Sequence, residues 1–288
     1  MATYRKSRAF APEGFFECEG RGLEWLGAAH AQDGPRVVQV YGWGKDYLDI
    51  ERVGSASPTP QAARAFGAAL AHMHDAGAEY FGSAPDGYNG TCYFGPLQDP
   101  VKMDTGEWTD PISYFADGRL RPMVNLGVRR GELDKRDVEL TERVIEALPD
   151  LMGRAAADKP ARIHGDLWSG NVMWTADSGQ SEAVLIDPAA HGGHREEDLA
   201  MLHLFGMSYL SEITEGYPVR TSVEGRMAGA HHALAALPHR RPLRLLRRRL
   251  RQRIPLHVPL PAEVTDLAPS LRGAKNASTL SSARPSTC

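Results

Sequence analysis

The segment HGDLWSGN, residues 164–171, constrains this chain more than any other stretch. Two glycines make it a poor helix, yet it carries Asp166 and Asn171 five residues apart. On either side lie short apolar runs, ARIHGDL and AVLIDP, each read as a strand that delivers an aspartate to a surface. Asp187 ends the second run, sixteen residues after Asn171. Three oxygen-bearing side chains gathered from a loop and a strand end suit Mg²⁺, a hard cation that binds one or two carboxylates and completes its shell with water and substrate phosphates. Phosphoryl transfer divides its labour in the same way: one carboxylate takes the proton of the attacking hydroxyl, while an amide and a second carboxylate hold metal. The tripeptide H-G-D alone would more often be a tight turn around a satisfied histidine. Asn171, Asp187 and the run REEDLAML following in order outweigh that reading.

Length and composition allow such a site. The 288 residues suffice for one large domain or two modest ones, and 42% hydrophobic with 24% charged content is ordinary for a globular protein. A net charge of −3 gives no global attraction to nucleic acid or anionic lipid, and no run approaches the ~20 apolar residues that cross a bilayer. MATYRKSRAF lacks the apolar core of a secretory signal. Cys18, Cys92 and Cys288 are scattered, which argues against a disulfide framework or zinc site and points to a cytoplasmic setting. Cys18 is read as a small buried apolar residue.

Along the chain, residues 14–29 carry Phe15, Cys18, Leu23 and Leu26 at helical spacing. PRVVQVYGWGKDYLDIERV reads as a hairpin of two strands parted by Gly42 and Gly44. QAARAFGAALAHMHDAG is a helix that Gly77 ends. Residues 82–111, rich in Gly, Pro, Asn and Asp, read as a long ordered loop, and residues 133–152 as a helix. His72, His74 and His191 are read as structural, since Asp and Asn suit Mg²⁺ better. From Gly225 to Ala262 no acidic residue occurs, and HRRPLRLLRRRLRQR holds eight arginines in fifteen positions. The last residues, KNASTLSSARPSTC, are poor in apolar side chains.

HGDLWSGNVMW, LIDPAAHGGHREEDLAMLHLFG and FGAALAHMHDAGAEYFG together resemble the fructosamine (ketosamine) kinase family, related to aminoglycoside and choline phosphotransferases. The likeness runs in order from Tyr4 to Gly225. It implies an α/β (α+β), two-lobed protein-kinase-like fold, with residues 1–55 as the nucleotide-side lobe and 56–225 as the larger, mainly helical catalytic lobe. It also implies ATP and Mg²⁺ as cofactors and phosphorylation of a ketosamine at its C3 hydroxyl, which would make a stable glycation adduct labile. Matched by position, Asp166 is the catalytic base, Asn171 and Asp187 hold metal, and Trp168 faces the sugar. His164 shapes the loop by hydrogen bonding, and Asp198 anchors it through backbone N–H groups. Lys6 matches the lysine on the nucleotide phosphates and Glu19 its helical ion-pair partner, in preference to Glu17. The turn at Asp49–Val53 matches the hinge that holds adenine, with Glu51 and Val53 as its nucleotide-binding residues.

Two departures from the family pattern are expected to matter. Only five residues precede Lys6, so the strands and glycine-rich loop that cover phosphates in the family are expected to be missing ahead of it, which would leave the small lobe incomplete. Residues 226–288 form an arginine-rich and low-complexity tail unlike the family's C-terminal helices, and a run of this kind could also bind nucleic acid or anionic membrane. The expected partner is a small sugar-amine or a glycated protein, with no specific nucleic acid and no membrane. The competing readings are an aminoglycoside or amino-alcohol phosphotransferase and a non-catalytic, truncated remnant of the same fold.

Overall fold

A three-stranded antiparallel sheet begins the fold. In the computed structural model, which describes residues 2–95 and 97–217, β1 (Thr3–Ser7) pairs antiparallel with β4 (Tyr47–Glu51), and β4 pairs in turn with β3 (Val40–Gly44). Leu48 and Ile50 of β4 point into a core and are buried, whereas Asp49 on the opposite face accepts a 2.7 Å hydrogen bond from Arg5 Nε on β1. The expected hairpin is present, but its turn lies at Lys45–Asp46. Gly42 and Gly44 both belong to β3, whose register shifts between Val40 and Gly42. The residues before it, β2 (Arg36–Val37), leave the hairpin and run parallel to β9 (Glu182–Leu185).

Helix α1 (Phe15–Gly27) buries Phe16, Leu23 and Leu26. Its internal glycines are contact points: a Cβ on Gly20 would lie 2.6 Å from the Trp43 ring of β3, so the helix backbone sits directly on the sheet. Helix α2 (Pro60–Asp75) starts with Thr59, whose side chain accepts from the Ala62 N–H at 3.1 Å, and with a proline in the first turn. Gly77, at φ +71°, turns the chain away from it. Phe66, Leu70 and Met73 join Leu26, Leu167 and Leu202 in the largest apolar core.

The 82–111 region is not wholly loop. It contains an antiparallel hairpin, β5 (Cys92–Phe94) and β6 (Val101–Met103), whose three-residue strands are too short to show a period of two. Next comes a helical segment that the sequence reading omitted: α3 (Pro111–Ser113), a π-helical stretch Tyr114–Leu120, and α4 (Arg121–Arg129). Gly118, Pro122 and Gly127 broke its pattern. Its Tyr114, Phe115 and Leu120 pack on Ile145, Leu148 and Met152 of α5 (Lys135–Met152) to form a second core.

The remaining elements present the 164–171 loop. Strand β7 (Ala161–Ile163) pairs antiparallel with β10 (His191–Gly193), and β8 (Val172–Thr175) pairs antiparallel with β9. The 164–171 segment spans the gap between β7 and β8. Helix α6 (Glu196–Phe205) lies behind it, and α7 (Leu210–Gly216) packs against α2. The tail assigned to 226–288, with its arginine run, lies outside the described residues, and no helix of the described residues is long and apolar enough to cross a membrane.

Candidate active site

The loop after β7 is held from behind. Asp198, fully buried at the start of α6, accepts the His164 N–H at 2.7 Å and the Gly165 N–H at 2.9 Å. The ring of His74 on α2 adds a third hydrogen bond at 3.1 Å, and Tyr217 closes the chain at the other ring nitrogen, 2.8 Å away. Burial alone would raise the Asp198 carboxyl, but the His74 hydrogen bond and the backbone donors outweigh it and hold the group below its ordinary value. Gly165 is at φ +77°, and a Cβ there would lie 2.3 Å from the Ala189 carbonyl oxygen, so the loop can pass only as glycine.

Two more contacts aim Asp166. His164 Nε2 lies 2.9 Å from the Ile186 carbonyl, and its Nδ1 accepts the Asp166 N–H at 3.2 Å, which makes Nε2 the protonated nitrogen. Burial lowers the His164 pKa and keeps this ring neutral. Asn171 Nδ2 donates to the Asp166 carbonyl at 2.8 Å, to Asp166 Oδ2 at 3.0 Å and to the Asp187 carbonyl at 3.3 Å. Burial pushes the Asp166 carboxyl up to about 7, with the nearby Asp187 charge adding and the Asn171 hydrogen bond opposing.

Asp187 follows β9 in the left-handed region at φ +51°, a conformation aspartate tolerates better than most residues. Its Oδ1 lies 3.3 Å from Lys6 Nζ on β1, and Lys6 is 2.8 Å from both carboxylate oxygens of Glu19 on α1. Burial would lower the Lys6 pKa, but the Glu19 and Asp187 charges prevail and raise it, so the ammonium is retained. Trp168 lies over the loop, where a Cβ on Gly170 would meet its ring at 2.2 Å, and packs on Ala200, Met201 and Leu204 of α6.

Lys6, Glu19, Asp166, Trp168, Asn171 and Asp187 line one cavity of about 310 Å³. His164 and Asp198 support it from outside the lining. Glu51 and Val53 do not line it. The expected turn at Asp49–Val53 is largely strand, because Asp49 to Glu51 complete β4. The Glu51 N–H donates to the Gln39 carbonyl at 2.8 Å, its carboxylate pairs with Arg36, and Val53 packs against the core beneath α1. His74 and His191 are buried in hydrogen bonds, His191 to the Ala189 carbonyl at 2.7 Å and to Tyr114 at 2.8 Å, while His72 is exposed.

The sequence reading missed the facing wall, formed by Phe15 of α1 and by Tyr93, Phe94 and Leu97 of the β5–β6 hairpin. Phe15 was visible only as a helix position, and CYF among glycines and prolines carries no signature. The donor set suits a hard divalent cation: a half-exposed carboxylate on Asp187 and a buried carboxamide whose NH₂ is spent on Asp166 and Asp187, which turns its oxygen to the role of acceptor.

The model of the fructosamine kinase family matches residues 4–228. A probable ketoamine kinase of Enterococcus faecium is 31% identical over 75% of this chain and 72% of its own. The crystal structure of a protein from Thermobifida fusca, provisionally assigned as a fructosamine-3-kinase, superposes with a TM-score of 0.71 at 40% identity, covering 82% of this chain and 77% of that one. A choline kinase of Streptococcus pneumoniae shares the fold alone, at a TM-score of 0.53 and 14% identity over 85% and 78% of the two chains. The fold is thus the α+β, protein-kinase-like one, and the chain belongs to the fructosamine kinase family, phosphotransferases that act on a hydroxyl group.

Proposed function

We propose that this protein transfers the γ-phosphoryl group of ATP to a sugar hydroxyl of a ketosamine, the C3 hydroxyl by family relationship, and so destabilises a glycation adduct. The observation that carries the reading is the meeting of Asp166, Asn171 and Asp187 with the Lys6–Glu19 pair on one cavity. Asp166 accepts the proton as the acceptor oxygen bonds to the γ-phosphorus, and the bond from that phosphorus to the β–γ bridging oxygen breaks to release ADP. Asn171 and Asp187 hold Mg²⁺, which supplies charge neutralisation on the phosphates when bound. Lys6, fixed by Glu19, contacts the phosphates. Residues 1–55 form the nucleotide side, where the chain leaving β4 at Glu51 to Val53 receives the adenine edge, and residues 56–225 form the catalytic lobe. Trp168 receives the sugar.

A coupled ADP-release assay with fructosamine and ribulosamine adducts tests this directly. Asp166→Asn should lower kcat by about 10²–10⁴-fold or more while Mg·ATP still raises the melting temperature. Undiminished turnover in that variant would overturn the role of Asp166. Preference for an aminoglycoside over every ketosamine would transfer the reading to that sister activity.

A further inference from the structure

The cavity has two unlike sides. One carries the charged and amide groups described above: Glu19 gives both oxygens to Lys6, Asp187 faces Lys6, and Asp166 holds the Asn171 amide. The other side has no charge. It is built by Phe15 at the first turn of α1 and by Tyr93, Phe94 and Leu97 of the β5–β6 hairpin.

That wall is fixed to α1, the helix that carries Glu19. The rings of Phe15 and Tyr93 lie 5.7 Å apart, and the Tyr93 hydroxyl donates to the Glu13 carbonyl at 3.1 Å. The Tyr88 hydroxyl, just before the hairpin, donates at 3.0 Å to the Thr91 carbonyl and at 3.2 Å to that of Gly14. Beneath these contacts Cys18 of α1 packs with Cys92 and Met103 in a small buried cluster. The wall therefore has the same rigid support as the charged side, a condition for selectivity rather than mere contact.

Its position decides what it meets. Asp166 and Trp168, the groups assigned to the acceptor, line this cavity together with the wall, so its space beyond Lys6 and Asp187 is read as the acceptor's side of the phosphates. With the sugar placed between Asp166 and Trp168, the group borne on the acceptor's nitrogen is what remains to be covered.

We infer that Phe15, Tyr93, Phe94 and Leu97 form the binding surface for the group attached to the ketosamine nitrogen, and that this surface selects an apolar or aromatic group over one bearing a second positive charge. This rests on the phosphotransfer reading above and deepens it. An apolar group removes water from an apolar wall, while a second ammonium would be desolvated against four side chains that carry no carboxylate.

The test measures kcat/KM for two fructosyl adducts of similar size, one made from benzylamine and one from the primary amine of 4-(aminomethyl)piperidine, at saturating Mg·ATP. The benzylamine adduct should be favoured by roughly tenfold or more, the scale of one or two apolar contacts. Leu97→Ser and Tyr93→Ser should each reduce that ratio several-fold, through a higher KM for the aromatic adduct. Melting curves verify that each variant is folded, and Leu97→Ser, which loses no hydrogen bond of the Tyr93 kind, serves if Tyr93→Ser is not. A ratio near one in the parent protein overturns the inference and leaves the phosphotransfer reading standing. A high ratio that persists in the folded variants overturns the assignment to this wall. Failure to turn over any adduct overturns the phosphotransfer reading, and the inference falls with it.

Discussion

Asp166 serves two ends that burial sets against each other. A base must be ionised to accept a proton, yet the enclosure that isolates the reaction from water pushes its carboxyl up to about 7. The spacing from Asp166 to Asn171 and Asp187 made the residue conspicuous in the sequence. Its proton affinity was not legible there, because it depends on how deeply the loop is buried and on the Asp187 charge brought in by another strand. The consequence for stability has a definite sign. With the folded value near 7 and the ordinary value 3.8, the folded chain binds this proton more tightly than the unfolded chain. Stability attached to this group is therefore fully present below about pH 4 and lost as pH rises through about 7. Asn keeps an acceptor for the Asn171 amide but carries no charge. Asp166→Asn should thus be more stable than the parent at pH 8 by about 1–3 kcal/mol, with the advantage disappearing towards pH 4. Urea titrations at the two pH values measure it, and a variant that is less stable at pH 8 would show that the buried charge costs nothing.

Elements that declare themselves by a long repeat were legible, and those built from short or irregular pieces were not. α1, α2 and α5 followed from helical patterning, and Gly77 marked the end of α2, whereas the cap at Thr59 came from the structure. The β5–β6 hairpin and the helix through Tyr114–Leu120 escaped because three-residue strands and a π-helical stretch have no sustained period. α7 escaped as well, and its docking shows why glycine can mislead inside a helix. Gly67 interrupts an alanine-rich run in α2, yet a Cβ there would lie 2.0 Å from the Ile213 carbonyl of α7. Gly216 makes the reciprocal approach, 2.0 Å from the Arg64 carbonyl. Two opposing effects then bear on Gly67→Ala. Helix propensity favours alanine by about 1 kcal/mol, whereas a methyl group forced against fixed backbone costs about 1–3 kcal/mol or more. The contact is with backbone rather than a mobile side chain, so the second effect should prevail. The melting temperature of Gly67→Ala is expected to fall by a few degrees. A rise would mean that α7 is not seated on α2 in this way.

At the scale of the whole molecule, the charged side of the cavity was legible and the apolar side was not, for a topological reason. Asp166, Asn171 and Asp187 lie within 22 residues, so their spacing could be read directly. Phe15 and the 93–97 segment share no motif and meet only because the hairpin docks on α1. Lys6 shows the same dependence on assembly, since it joins β1, α1 and the end of β9 by contacting Glu19 and Asp187. Removing it should have two effects that must be separated. Lys6→Met strands Glu19 beside an apolar neighbour, and an unpaired buried carboxylate costs several kcal/mol at most, about 2–4 here. If Lys6 also binds phosphate, the variant loses ligand stabilisation, which for the parent amounts to about 2.7 kcal/mol at a hundredfold excess of nucleotide over its dissociation constant. A double variant, Lys6→Met with Glu19→Gln, removes the stranded charge and should regain most of the unliganded stability. It should not regain the shift with Mg·ATP, because no cation has been restored. Thermal melts of the parent, the single and the double variant, each with and without Mg·ATP, separate the two roles. A double variant that recovers the full nucleotide shift would reduce Lys6 to a purely structural tie between sheet and helix.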